Sequence, residues 1–127
     1  MAKLGVSVFI LSVIFTVSCS AQQSEEQALK SLRDMTSNGK LPPETFVADL
    51  EKRFAGKKTG ALATLLHARI KFENQDYNGA AALLNSDIFR GKTHLADHAL
   101  WLRGRALQSA GNHGEAMAVL GKLLNEF

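Results

Sequence analysis

The sequence predicts an all-α protein, a helical-hairpin array of about three antiparallel helix pairs behind an N-terminal signal peptide. Three observations carry that expectation. Apolar residues after position 24 recur at helical spacings, and no stretch alternates with period 2. Two blocks in the C-terminal half match at a constant offset of 36 residues, Ala63 against Ala99 and Ala80 against Ala116. The N-terminus has the composition of an export leader.

The leader comes first in the chain. Met1-Ala2-Lys3 supplies a positive start, and Leu4 through Val17 is an apolar run broken only by Gly5, Ser7, Ser12 and Thr16. As a helix rising about 1.5 Å per residue, the run falls well short of a hydrocarbon core roughly 30 Å thick. Small residues Ser18 to Ala21 follow, then the polar stretch from Gln22 to Glu26. Positive start, short apolar core and small-residue exit make residues 1–21 a signal peptide rather than a permanent anchor. Two exits compete. Cys19-Ser20-Ala21 offers small side chains for ordinary cleavage before Gln22. Val17-Ser18-Cys19 resembles the lipobox of bacterial lipoproteins, with Thr16 departing from the usual Leu, and that resemblance makes Cys19 a lipidation candidate. Cys19 is the only cysteine, so the mature chain has no disulfide and must fold on hydrophobic burial alone.

The remaining residues, 22–127, are long enough for one helical-repeat domain. The formal charge is +3, with acids and bases interleaved throughout. No basic stripe exists, so nucleic acid is not an expected partner. The densest basic spot, Lys52-Arg53 with Lys57-Lys58, is expected near a helix C-terminus, where the backbone dipole favours cations.

Ser24 is placed to cap a first helix with Leu29, Leu32 and Met35 on its apolar face, ending near Asn38-Gly39. Leu41-Pro42-Pro43 is a turn, and Pro43 suits the first position of a second helix carrying Phe46, Val47, Leu50 and Phe54. Gly56 and Gly60 bracket the next break. The repeats then occupy about residues 60–90 and 95–127. The final helix, with Met117, Val119, Leu120, Leu123, Leu124 and Phe127, carries more apolar surface than one neighbouring helix covers.

Ala68 and Gly104, Gly111 before its turn, Tyr77, Ala80 with Ala116, and Leu84 with Leu120 resemble the tetratricopeptide repeat. In that family small residues let helices A and B approach and large ones fill the gaps. The Pro that closes such a unit, counted from Gly104, falls one residue past Phe127, so the chain is expected to stop at the edge of a repeat. Over residues 60–127, Asp76-Tyr77-Asn78-Gly79-Ala80-Ala81 and Leu95-Ala96-Asp97-His98-Ala99-Leu100 are similar to the N-terminal superhelical region of bacterial soluble lytic murein transglycosylases, with His98 where the family commonly has Tyr. The resemblance implies that helix A of each unit lines a groove. It makes Arg69, Trp101, Arg103 and Arg105 the partner-binding candidates.

Catalytic constellations are not expected. His94 and His98 are four apart, but Leu95 stands where a zinc peptidase needs Glu, and no third ligand is evident. Gly91-Lys92-Thr93 ends like a phosphate-binding loop, yet Ser86 occupies the first glycine position and no strand precedes it, so a connector is expected there. The transglycosylase general acid is a Glu followed by Ser, a dipeptide this sequence lacks; Glu25, Glu44, Glu73 and Glu115 are expected on polar helix faces. The expectation is therefore a non-catalytic interaction or scaffold module, without cofactor or metal. It would be exported to the periplasm or held at the outer membrane as a lipoprotein, and would bind protein partners or peptidoglycan-associated machinery. The alternative is the N-terminal part of a lytic transglycosylase lacking its catalytic domain.

Overall fold

The computed structural model describes residues 23–127; the expected signal peptide and Cys19 lie outside the described residues. The fold is all-α. In chain order the helices are α1 (Glu25–Thr36), α2 (Glu44–Arg53), α3 (Lys58–Glu73), α4 (Tyr77–Leu83), α5 (Ile88–Lys92), α6 (Ala96–Ser109) and α7 (His113–Glu126), with no strand among the described residues.

Ser24 caps α1 as expected. Its hydroxyl accepts from Gln27 N–H at 3.2 Å while the Gln27 side chain accepts from Ser24 N–H at 3.1 Å, a reciprocal capping box. The buried face is Ala28 and Leu32 rather than the wider set anticipated; Leu29 is half-buried and Met35 exposed. Gly39, at φ 70°, turns the chain beyond Thr36. Pro43 sits one residue earlier than expected, as the N-cap of α2, its carbonyl accepting from Phe46 and Val47 N–H. Val47, Leu50 and Phe54 are buried with Ala28, Leu32, Ala63 and Ile70 in the first core cluster. Each of the larger side chains contributes about 1.5–3 kcal/mol by leaving water.

Two expectations for the α2–α3 junction are corrected. Gly60 lies inside the first turn of α3 instead of marking its start, because the Phe54 carbonyl occupies the space a Cβ would need. Lys57 and Lys58 open α3 rather than close α2. Glu25 offsets that charge: its carboxylate stands 3.8 Å from Lys57 Nζ and accepts from Thr59 N–H at 3.4 Å. An acid at the N-terminal end of α3 also suits the helix dipole.

The 36-residue offset reappears as geometry. After α3, Gln75 N–H bonds to Phe72 C=O at 3.0 Å and Asp76 N–H to Lys71 C=O at 2.9 Å. After α6, Gly111 N–H bonds to Gln108 C=O at 3.1 Å and Asn112 N–H to Leu107 C=O at 2.9 Å. These are two copies of one Schellman turn, with Gln75 and Gly111 both left-handed at φ 65° and 81°. Asp76 and Asn112 then cap the next helices, accepting from Gly79 and Glu115 N–H.

The copies diverge after the turn. Asn85-Ser86-Asp87 stops α4 after seven residues, whereas α7 runs for fourteen. Ser86 Oγ accepts from Ile88 N–H and starts the short helix α5, which sinks Phe89 into the core. Gly91-Lys92 therefore closes a helix, which raises the count from the six anticipated to seven. Thr93 terminates it, donating its hydroxyl to Phe89 C=O at 2.7 Å.

Packing follows chain order. α2 lies on α3, α3 on α4, α4 on α6, and α6 on α7, while α1 makes its closest backbone approach to α3. A second cluster joins Leu65, Ala68, Leu84, Phe89, Ala99 and Leu102, and a third joins Ala80, Ala81, Ala106, Leu107, Ala116 and Val119. On the outer face of α7, Met117, Leu124 and Phe127 remain 75%, 84% and 68% exposed.

Candidate functional site

α1, α3 and the start of α6 enclose an open apolar groove of about 300 Å³, lined by Leu29, Leu32 and Arg33, by Leu62, Leu65 and Leu66, and by Leu95. Beside it, sharing Thr36 and Leu66, lies a more polar opening bounded by Lys40, Leu41, Arg69 and Glu73. Local sequence explains the walls. α3 is apolar on most of its circumference because α2, α4 and α6 cover it, so leucines remain over for the open side.

The four anticipated residues separate into three environments. Trp101 and Arg105, four apart on α6, come together: the guanidinium lies 5.3 Å from the indole centroid. Arg105 also lies over the Phe72 ring of α3 at 5.8 Å, and Phe72 meets Tyr77 edge-on at 5.2 Å. On the other flank His98 stacks on Trp101, with centroids 5.6 Å apart and planes at 25°. The result is a ladder of His98, Trp101, Arg105, Phe72 and Tyr77 that crosses from α6 to α3 and the start of α4. Arg69 is elsewhere, bound to Glu73 at 2.7 Å along its own helix. Arg103 faces α7, where it meets Glu115 at 2.6 Å; its Nε is buried without an acceptor. Arg103 thus ties two helices together instead of joining Trp101 and Arg105.

His98 is exposed and touches the ring of Trp101, and His94 is exposed as well. No set of three His, Cys, Asp or Glu among the described residues is disposed to hold a metal.

Glu25, Glu44, Glu73 and Glu115 are all engaged in ion pairs. Glu44 accepts from both Lys71, at 3.3 Å, and His67 Nε2, at 3.2 Å. Hydrogen bonds from Lys71 and then His67 hold its carboxyl below the ordinary range. Asp76 is lowered first by the Gly79 N–H and then by Lys71, and Lys71 is raised by Asp76 and then Glu44. A carboxyl stabilised as its anion is poorly suited to donate a proton to a leaving group. His67, with Nδ1 2.7 Å from Glu51, completes a polar cluster linking α2, α3 and the α4 cap.

The spacing of His98, Trp101 and Arg105, three and four apart, places them on one helix face, a signal that grouping Trp101 and Arg105 with Arg69 and Arg103 passes over. Phe72 and Tyr77 carry no such signal, since their contact with that face depends on how α3 meets α6. No family model, curated protein or solved structure matches the chain.

Proposed function

We propose that the chain is an exported, non-catalytic tetratricopeptide-type module of the bacterial cell envelope that binds protein partners or peptidoglycan-associated machinery. The observation that carries this is the duplicated turn. Two helix-turn-helix units 36 residues apart share their caps, their left-handed residue and their small buried alanines. Units of this kind bury their apolar faces only by stacking, and stacking leaves an extended surface for a partner. The apolar groove between α1 and α3 and the aromatic ladder on α6 are the surfaces that reading assigns to binding. The leader composition of residues 1–21 supports export, with Cys19 as the lipidation candidate.

A photo-cross-linking amino acid placed in turn at Leu62 and Leu95, which line the groove, tests this. Discrete adducts from both positions in envelope fractions, with none from exposed Lys52 of α2, are expected. Recovery of the protein in the cytoplasm without adducts overturns the proposal.

A second reading is favoured by the exposed apolar face of α7: the helices are the non-catalytic part of a lytic murein transglycosylase and pack against further sequence. An open reading frame continuing past Phe127 into a Glu-Ser motif supports it. A stop codon at that point removes it.

A further inference from the structure

Equivalent positions in α3 and α6 lie 36 residues apart, and one such pair keeps its residue while its surroundings change. Arg69 and Arg105 are equivalents. Arg69 is neutralised by Glu73, one turn further along α3. The equivalent of Glu73 in α6 is Ser109, and no carboxylate among the described residues lies within ion-pair distance of Arg105. Trp101 likewise stands where α3 has Leu65, and His98 where it has Leu62. The second copy has exchanged an acid for a hydroxyl and two leucines for aromatic rings around one retained arginine.

The rings do not satisfy that arginine. Cation–π attraction holds the guanidinium over Phe72 and Trp101 but uses none of its N–H donors. Arg105 is exposed, and Trp101 is 37% exposed beside it. A guanidinium set between two rings, whose donors face solvent rather than a protein acceptor, is open to a planar anion.

We infer that Arg105 anchors a carboxylate-binding site on the α6 face, which takes an acidic peptide segment of a partner protein and lays an adjoining apolar side chain along Trp101 and His98; this rests on the interaction-module reading. The charge count favours a carboxylate over a phosphate. Arg69 and Arg103, the other candidate cations, are committed to Glu73 and Glu115, leaving one guanidinium for one negative charge. A carboxylate accepts two parallel N–H bonds from it.

Trp101 is the sole tryptophan, so its emission reports on the site directly. The probe is a synthetic peptide of alternating Glu and Leu, titrated into the full chain. Saturable change in Trp101 emission is expected, with binding about tenfold weaker for the Gln-Leu counterpart, for Arg105→Gln and for Ser109→Glu. The last variant restores in α6 the acid that Glu73 provides in α3 and leaves the ladder in place. Unchanged circular dichroism in both variants ties the loss to the guanidinium. Amidating the peptide C-terminus should leave binding unchanged, and binding lost on amidation but kept by the Gln-Leu peptide assigns a terminal carboxylate and overturns the acidic-segment site. Equal binding by wild type and both variants overturns it. So does tighter binding of a phosphoserine peptide, or an emission change that follows protein concentration without peptide and marks a second copy as the occupant. Groove adducts without Arg105-dependent peptide binding remove this site alone, whereas cytoplasmic recovery without adducts removes the module reading whatever the titration shows.

Discussion

Gly104 of α6 faces Leu120 of α7 so closely that a Cβ on the glycine would lie 2.5 Å from Leu120 Cδ2. The pair sets the distance between the two helices, and its 36-residue counterpart is Ala68 with Leu84, both buried in the second core cluster. Gly104→Val should cost about 1–3 kcal/mol by overpacking, since Leu120 must leave its place to admit the branched side chain. Chemical denaturation measures it. A variant as stable as wild type would show that α7 moves outward freely.

Gly60 makes the sharper case. The obstacle to its Cβ is the Phe54 carbonyl, main chain that cannot rotate aside. Gly60→Ala should therefore destabilise despite alanine's better helix propensity, by about 2 kcal/mol or more. Gly91→Ala, where nothing lies within 4 Å, is the control and should be neutral or mildly stabilising.

The paired left-handed residues predict opposite responses to complementary changes. Gln75→Gly should stabilise by about 0.5–1 kcal/mol, the relief of a side chain at positive φ less the added freedom of the unfolded chain. Gly111→Ala should destabilise by about 1 kcal/mol for the converse reason. Thermal melts of the two variants check both signs.

The Glu44, Lys71 and Asp76 cluster predicts a pH profile. The carboxyls are lowered in the fold, so their stabilisation is fully present above their ordinary values of 4.5 and 3.8 and is lost as pH falls through the lower folded values. Lys71 is raised, so its share is present below 10.5 and lost as pH climbs past it through the folded value. In melting temperature against pH, Lys71→Met should remove its share of the alkaline limb and weaken the acid limb only in part, since the Gly79 N–H still lowers Asp76 and His67 still lowers Glu44. Limbs of unchanged slope would show that the cluster does not couple to folding.

Export carries a prediction for the residues outside the described structure. Intact mass of the envelope-associated protein should begin at Gln22 or at a diacylated Cys19. A mature species retaining residues 1–17 refutes cleavage, and Cys19→Ala should abolish membrane retention only if the lipid is present.

The all-α class, the Ser24 cap and the 36-residue offset were legible because each depends on residues close together in the chain. The sequence grouped Trp101 with Arg105 but also with Arg69 and Arg103, and it set His98 beside His94 instead. Features fixed by distant partners were not readable. Gly60 looks like a break until the Phe54 carbonyl is seen against it, and Lys57 looks like a helix end until Glu25 stands beside it. Arg103 and Arg105 are two residues apart on α6, and only the positions of α7 and α3 decide that one is an interhelical tie and the other an open donor. The short helix α5 escaped because Gly91-Lys92-Thr93 resembles a connector, while the residue that makes it a helix is Phe89, drawn inward by a core assembled from α3 and α6.

Apart from α1, which leans on α3, and the short α5, which sits on α3 and α6, each helix packs chiefly on the one before and the one after it, so the molecule is wired more as a line than as a web. Opening should proceed from the extremities. Amide hydrogen exchange in α1, which leans mainly on α3, and along the exposed side of α7 should run ahead of exchange in α3, which is flanked on nearly every side. Lesions at Gly60 and Gly104 sit in different links of that line, so their energetic effects should sum with little cross-talk. Contacts between sequence neighbours also close small loops, which places refolding among the fast helical topologies.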